Sequence, residues 1–267
     1  MVMTTVTAMV KETKNNDIME HGYTDLHTHI LPAMDDGARD FDAAWEMLRA
    51  EKRNGVERVA LTPHFYPQKT SPADFLAQRQ QAYEALLPGY DGETMPQLRL
   101  GAEVRYTPLL TEMDLRELTL GNSDYLLLEL PDRQIPTYVE QVVEVMRGQG
   151  ITPILAHIDR CLYFQAEPHR LEKLIQVGAL AQIDESAFRN RKAGAFANAC
   201  FRSGLAHILA SDAHDLTDRA PGLGGLTADR NVKLLEWAES FALAVWENTP
   251  PPAFGIHSLK NGLFGYR

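Results

Sequence analysis

The sequence has few cysteines, no excess of positive charge and no long apolar run. Its two cysteines, Cys161 and Cys200, are too few for a disulfide framework, so a reducing, cytoplasmic location is expected. The 26 Lys and Arg against 36 Asp and Glu give a net charge of -10, which offers no basic surface for nucleic acid. No run approaches the ~18 apolar residues of a membrane span.

Length and composition indicate one globular domain. A chain of 267 residues with 45% hydrophobic residues can form one large α/β domain. Residues 1–22 are mixed and polar and lack the apolar core of ~7–15 residues that a secretory signal requires. We therefore expect a loose N-terminal extension over residues 1–22 and a single domain over residues 23–267.

Short apolar segments alternate with amphipathic ones along the chain. The predicted strands are residues 23–27, 59–61, 97–102, 125–131, 151–156, 179–183 and 206–210. The predicted helices are residues 41–54, 72–87, 109–118, 137–147, 168–177, 193–203 and 228–244. Nearly continuous apolar strands are typical of a parallel sheet covered on both faces. The order favours a (β/α) barrel of about seven units, with an open doubly wound sheet as the alternative.

The first predicted strand ends in an H-x-H pair, His27 and His29. Alternate residues of a strand point to the same face, so the two imidazoles can hold one metal ion between them. A bare H-x-H is a weak signal and is also explained as an accident of sequence. Here Asp35, Asp36 and Gly37 follow closely and return carboxylates towards the histidines. We interpret Asp36 as a ligand and Asp35 as the turn residue.

Metal-ligating residue types stand at the ends of most predicted strands. In a barrel, the carboxyl ends of the strands carry the active site. Nitrogen and oxygen ligands without a thiolate suit Mn, Fe or Zn, and one ion takes about four protein ligands. The candidate set therefore predicts two or three ions, with Glu103 as a bridge. These nine candidates are His27, His29, Asp36, His64, Glu103, Glu129, His157, Asp212 and His214.

Several of these motifs resemble those of a known superfamily. Residues 24–29 (TDLHTH), 62–64 (TPH), 101–103 (GAE), 156–160 (AHIDR) and 210–214 (ASDAH) are similar to the PHP superfamily, named for polymerase and histidinol phosphatase domains. Residues 34–37 (MDDG) and 150–158 (GITPILAHI) resemble in particular the bacterial metal-dependent protein-tyrosine phosphatases encoded with capsule and exopolysaccharide genes. The resemblance covers residues 23–248, nearly the whole chain.

The resemblance implies a distorted (β/α)7 barrel of PHP type with a trinuclear site, often of manganese. One ion would be held by His27, His29, Glu103 and Asp212, a second by Asp36, Glu129 and His214, and a third by His64, Glu103 and His157. Arg160 and Arg219 would contact phosphate. Hydroxide activated by the metal would attack a phosphotyrosine of a tyrosine kinase that regulates capsule or exopolysaccharide. Asp212 or a water at the site would protonate the leaving group.

Other functions are also compatible with the sequence. A PHP-type phosphatase could act on a small phosphomonoester such as a sugar phosphate or histidinol phosphate. Departures from the family pattern at Arg105, Asp159 and Cys161 leave the substrate undecided. An amidohydrolase would place a bridging lysine where Glu103 or Glu129 stands, and a non-catalytic binding domain would not need an intact ligand set. A homo-oligomer is compatible with the sequence as well.

A cysteine-dependent phosphatase is excluded. That chemistry needs a C-x5-R loop, in which the thiolate and an arginine share the phosphate. Glu167 lies six residues after Cys161, and Ala206 lies six residues after Cys200. All activation of the nucleophile is therefore assigned to metal.

Overall fold

The computed structural model describes residues 22–223, 232–262 and 265–266. The predicted N-terminal extension lies outside the described residues except for Gly22. The strands are β1 (Tyr23–Thr28), β2 (Val56–Leu61), β3 (His64–Phe65), β4 (Gln97–Leu100), β5 (Glu103–Arg105), β6 (Tyr125–Glu129), β7 (Thr152–Leu155), β8 (Leu180–Asp184), β9 (Ile208–Ala210), β10 (Asn261–Gly262) and β11 (Gly265–Tyr266). The helices are α1 (Phe41–Arg53), α2 (Pro72–Leu86), α3 (Val139–Gly148), α4 (Leu162–Ala166), α5 (His169–Val177), α6 (Arg191–Arg202) and α7 (Val232–Trp246).

The strands from β1 to β9 form a curled parallel sheet. They pair in the orders β1-β2-β4 and β3-β5-β6-β7-β8-β9, and every pair is parallel. The chain just after β9 returns to β1, since His29 N–H donates to Ala213 O at 2.8 Å and Asp212 N–H donates to His27 O at 2.9 Å. The α/β class and the parallel sheet predicted from sequence are confirmed.

The helices begin where capping residues predict. Asp40 precedes α1 in an extended conformation, and its carboxylate accepts the Ala43 N–H. Ser71 caps α2 by accepting the Asp74 N–H, with Pro72 at the first helical position. Such side-chain acceptors satisfy donors that the first turn leaves without an intrahelical partner. Both predicted starts are therefore confirmed.

One predicted helix, residues 109–118, is wrong. The segment instead forms two short 3-10 turns, Pro108–Glu112 and Arg116–Leu118. Met113 between them is extended, with φ -100° and ψ 145°. The Asp114 carboxylate accepts the Arg116 N–H at 3.0 Å, a local bond that competes with helix continuation. The predicted helix 228–244 is observed from residue 232, and its predicted start lies outside the described residues.

Apolar packing on the inner face of the sheet leaves the carboxyl ends of the strands to polar residues. Leu26, Leu127, Ile154 and Ile208 form one buried cluster with Phe241 of α7. Glu239 of α7 fixes this helix to β1 by accepting the Thr24 N–H at 2.7 Å and the Thr24 hydroxyl at 2.8 Å. A larger apolar cluster packs the other helices on the outer face.

The three described ranges contain no helix that is both long enough and apolar enough to cross a membrane.

Candidate metal centre

The candidate ligands come together at the carboxyl edge of the sheet. Potential ligand atoms form three groups, and within each group these atoms lie no more than 4.8 Å from one another. The groups are His29, Asp36, His64 and His214; His27, His29 and Glu103; and His64, Glu103 and Glu129. His157 and Asp212 reach the same cluster through contacts with Glu103 and His27. All nine residues predicted from sequence therefore lie in one region, while their assignment as ligands stays a prediction.

The densest part of the cluster holds two imidazole nitrogens and two carboxylate oxygens. His27 Nε2 and His29 Nε2 are 3.2 Å apart. His27 Nε2 is 3.3 Å from Glu103 Oε2 and 3.2 Å from Asp212 Oδ1, and His29 Nε2 is 3.2 and 3.3 Å from the same oxygens. Neighbouring ligands of an ion bound at ~2.1 Å lie ~3.0–3.4 Å apart. The spacing therefore fits a shared cation.

Buried acceptors set the tautomers of both histidines. Gln182 Oε1 accepts the His157 backbone N–H at 2.6 Å and lies 3.2 Å from His27 Nδ1. His29 Nδ1 lies 2.7 Å from Asp35 Oδ2. Each Nδ1 must therefore carry a proton, which leaves the Nε2 lone pair of the neutral ring directed at the cluster. Asp35 also accepts the Gly37 N–H, so the predicted turn role is accompanied by an orienting role.

Glu103 uses both carboxylate oxygens. Its Oε1 lies 2.9 Å from His157 Nε2, and its Oε2 lies 2.8 Å from His64 Nδ1. A carboxylate engaged on both oxygens suits the bridging role predicted for it. Glu129 groups with His64 and Glu103. The trio of Asp36, Glu129 and His214 that the resemblance implied is not among the groups found in the described residues, and it stays a prediction.

The edge of the cluster is formed by His214 and Asp36. His214 Nδ1 lies 2.8 Å from the Asp212 backbone oxygen, so Nε2 carries the lone pair, and it lies 3.6 Å from Asp36 Oδ1. Burial and the neighbouring His29 lower the pKa of His214 to about 4. A neutral imidazole is the form that binds metal.

The electrostatics of the centre are dominated by buried carboxylates. Burial alone disfavours charge on His27 and His29, but Glu103, Asp212 and Asp35 raise the pKa of the two imidazoles above the ordinary value. Burial likewise opposes ionisation of Asp212, but His27, His29 and Arg160 hold the pKa of this carboxyl well below its usual range. An ionised Asp212 fits a ligand and argues against the proton-donor role predicted for it.

Two arginines converge on the outer oxygen of Asp212. Arg160 donates to Asp212 Oδ2 at 2.5 Å, and Arg219 donates to the same atom at 2.6 Å. Arg160 also lies 2.5 Å from Asp184 Oδ2. Their side chains are 39% and 35% exposed, so both guanidinium groups stand between the buried ligands and solvent. This is the position that phosphate contacts require.

Gln182 and Asp184 belong to the site and were not predicted from sequence. Both are fully buried on β8, and Gln182 Nε2 donates to Asp184 Oδ1 at 2.9 Å. The signal for Asp184 was available, because it ends a strand as the other candidates do. The predicted strand 179–183 stopped one residue too early. Gln182 carries no signal in the sequence, since an amide inside an apolar strand gives no indication of its partners.

Unsatisfied buried atoms test whether a metal fits these residues. Glu129 Oε2, His157 Nδ1, Asp212 Oδ1 and His214 Nε2 are buried and find no hydrogen-bond partner within the described ranges. Buried polar atoms without partners are costly unless something else satisfies them. With only nitrogen and oxygen donors, the set fits divalent Mn, Fe or Zn.

Comparison with known proteins gives consistent matches. A family model described as "Capsular polysaccharide synthesis, CpsB/CapC" matches residues 23–234. Tyrosine-protein phosphatase YwqE of Bacillus subtilis (strain 168) is 33% identical over 203 residues, which cover 73% of this chain and 78% of that protein. Putative tyrosine-protein phosphatase CapC of Staphylococcus aureus is 32% identical over 218 residues, 78% of this chain and 84% of that protein.

A solved structure matches as well. It comes from work on YwqE from Bacillus subtilis and CpsB from Streptococcus pneumoniae, described as unique metal-dependent tyrosine phosphatases. The TM-score is 0.78 at 26% identity, and the match covers 89% of this chain and 99% of that chain.

Proposed function

The chain belongs to the CpsB/CapC family of capsular polysaccharide synthesis, and on that premise we propose that it is a metal-dependent tyrosine-protein phosphatase. The resemblance drawn from the sequence motifs is thereby confirmed at the level of the family. The observation that carries the activity is the cluster in which His27, His29, Glu103 and Asp212 bring four ligand atoms to a common centre.

The proposed cofactor is two or three divalent ions, manganese first, with iron or zinc as alternatives. The nine residues predicted from sequence would hold them, with Glu103 shared between ions. When bound, such ions lower the pKa of a coordinated water towards 7 and neutralise the charge of a phosphoryl group. The chain itself supplies the orientation, because Gln182 and Asp35 fix the rings of His27 and His29.

Arg160 and Arg219 are the proposed phosphate-binding residues. A guanidinium matches two phosphate oxygens at once and stays charged at any physiological pH. Both side chains extend from the Asp212 carboxylate towards solvent. They can therefore bind the equatorial oxygens of a phosphate that enters from outside, while Asp212 remains ionised and keeps its inner oxygen for the metal centre. The tyrosine phenol, with a pKa near 10, leaves more readily than an alkyl alcohol.

The exposure of the metal centre to solvent favours a phosphate that is attached to a protein. Asp36 is 67% exposed, and the two arginines are more than one-third exposed. A phosphotyrosine side chain can project into such a site from a large partner. The proposed substrate is a tyrosine kinase that regulates capsule or exopolysaccharide. The alternative, a small phosphomonoester, lacks support from the named relatives.

We also propose the finer fold assignment, a distorted (β/α)7 barrel of PHP type over residues 23–267. Two backbone hydrogen bonds carry the β2–β4 pairing on into the β3–β5 pairing, from Gly101 N–H to Leu61 O and from Glu103 N–H to Pro63 O, and they support the assignment, as does the parallel bridge between Thr28 and Ala213. A cytoplasmic location belongs to the same proposal.

Metal analysis combined with a substrate panel tests the function. Protein purified without chelator should contain Mn, Fe or Zn and hydrolyse a phosphotyrosyl peptide in preference to sugar phosphates and histidinol phosphate. His157→Ala should abolish turnover of p-nitrophenyl phosphate while the circular dichroism spectrum is kept, because His157 Nε2 contacts Glu103 at 2.9 Å. Full activity of His157→Ala would refute the metal mechanism.

A further inference from the structure

A surface cleft continues outwards from the metal centre. A depression of about 470 Å³ is lined by Asp36, His64 and Tyr66. A neighbouring cleft of about 810 Å³ shares Lys69 and Thr70 with it. The two are therefore adjoining parts of one depression that begins at candidate ligands and runs onto the protein surface. Depressions of ~300–1,000 Å³ are the usual size of ligand sites.

The outer cleft has an apolar lining. One wall is the loop after β3 and the start of α2, and the other is the 3-10 segment that the sequence predicted as a helix. Leu109 is 56% exposed, and Leu76 and Met113 are half-buried in the same lining. Solvent-facing leucine and methionine beside a polar site are a place where another molecule can bury apolar side chains.

The rim of the cleft is negatively charged. Glu112, Asp114 and Glu117 are exposed and line it, and none of them forms an ion pair within the described part of the chain. The one lysine of the lining, Lys69, lies over the Tyr66 ring at 4.2 Å from its centroid. The rim therefore presents three carboxylates to the molecule that occupies the cleft, and complementary charges on a partner favour its association.

We propose that this outer cleft, the peptide cleft, binds the chain segment that flanks the phosphotyrosine of the substrate protein. The preferred segment carries lysine or arginine and an apolar residue, and acidic segments are disfavoured. The proposal rests on the proposed tyrosine-phosphatase function. A molecule that fills both depressions must continue beyond its phosphate-bearing group, which a polypeptide does and a small phosphomonoester does not.

Two phosphotyrosyl peptides test the preference. They are identical except that one carries three lysines beside the phosphotyrosine and the other three glutamates. With the full-length, Mn²⁺-loaded protein at low salt, kcat/KM should be about tenfold higher for the lysine peptide. The ratio should shrink in 0.5 M NaCl, because exposed charges are screened over a short distance at that ionic strength.

Charge reversal at the rim tests whether the peptide preference arises in this cleft. Glu112→Lys/Glu117→Lys should remove the preference for the lysine peptide or invert it. Each exposed ion pair between the rim and the peptide changes kcat/KM by a factor of about one to five. Turnover of p-nitrophenyl phosphate, which has no flanking chain, should stay unchanged. The matched control is Glu84→Lys/Glu247→Lys, two exposed residues outside the cleft lining, and it should retain the preference of the parent protein.

Equilibrium binding separates this inference from the proposed activity. Fluorescence anisotropy with labelled versions of the two peptides reports binding to the cleft whether or not hydrolysis occurs. If the lysine peptide binds more tightly but neither peptide is hydrolysed, the proposed phosphatase activity is wrong and the proposed peptide cleft is supported. Equal binding of both peptides, or the same response from the control pair as from the rim variant, would overturn the peptide cleft.

Discussion

At the scale of single residues, the metal centre depends on side chains that are not themselves candidate ligands. Gln182 accepts from the His157 backbone and faces His27, and Asp35 faces His29. His157 also adopts a left-handed backbone conformation, with φ 31°, which is unfavourable for a residue with a side chain. The bond from Gln182 therefore holds a strained residue in place.

Replacing Gln182 tests this positioning role. Gln182→Met keeps the side-chain volume but leaves the His27 and His157 donors without an acceptor. We expect metal affinity to fall about 10–100-fold, measured by titration calorimetry with Mn²⁺. The control Gln141→Met, on the exposed face of α3, should bind metal as the parent protein does. Unchanged affinity in Gln182→Met would exclude the role.

Arg219 offers a second test at this scale. Its loop is held by the backbone, since Arg219 O accepts the His214 N–H at 2.8 Å, so the guanidinium can be removed without loss of the loop. Arg219→Ala should lower kcat/KM for a phosphotyrosyl peptide about 10²–10³-fold. Metal content, measured by mass spectrometry, should be retained. Arg202→Ala, an exposed residue of α6, serves as control, and equal losses in both variants would contradict the assignment.

At the scale of elements, the sequence predicts helix starts and strand ends where the determinants are local. Asp40 and Ser71 predict the starts of α1 and α2, because a capping side chain bonds only to backbone N–H groups in the first turn of the same helix. The helix predicted at 109–118 fails because the Asp114 side chain bonds its own backbone. The start of β2 at Val56 was missed because Arg58 interrupts the apolar pattern, and its partners Thr24 and Glu239 are remote in sequence.

The sequence could predict that the nine candidate ligands lie in one region, because each occurs near a strand end or its loop. Which of the nine lie next to one another could not be predicted, because the curvature of the sheet decides which strand ends meet. Glu129 therefore lies with His64 and Glu103, and not with Asp36 and His214.

The cap of α1 is open to measurement. Asp40→Ala removes the acceptor of the Ala43 N–H and should lower the free energy of unfolding by about 1 kcal/mol. The midpoint of thermal unfolding should fall by about 2–4 °C for a chain of this size, without loss of bound metal. Asp40→Asn retains a capping oxygen and should be close to the parent. An equal loss in both variants would point to the charge of Asp40 as the cause.

At the scale of the whole molecule, protons and metal compete for the same buried atoms. Glu103 overcomes the effect of burial and raises the pKa of His157 to about 9, and burial and Asp184 raise the pKa of Asp159 to about 7. Without metal, each group binds its proton more tightly in the folded state than in the unfolded state. This stabilisation is complete below the unfolded pKa and is lost as the pH rises through the folded pKa.

Opposite pH dependences are therefore expected for the two forms of the protein. Chelator-treated protein should become less stable between about pH 6.5 and 9, the window of His157. Protein in excess Mn²⁺ should gain stability over the same window, because deprotonated ligands bind the ion more tightly. Thermal unfolding midpoints across this range, with and without EDTA, measure both slopes. Parallel slopes would show that metal does not bind these residues.

The two faces of Asp212 have a consequence for regulation. Its inner oxygen, Oδ1, faces His27 and His29, and its outer oxygen, Oδ2, accepts hydrogen bonds from Arg160 and Arg219. A cation held on the inner side would draw electron density from the carboxylate, which would weaken its hydrogen bonds to both guanidinium groups and free them for an incoming anion. By thermodynamic reciprocity, the anion must then tighten the cation by the same factor. Inorganic phosphate should thus slow the dissociation of manganese from the protein. Inhibition by the product phosphate and retention of the metal would then follow from the same coupled binding equilibrium.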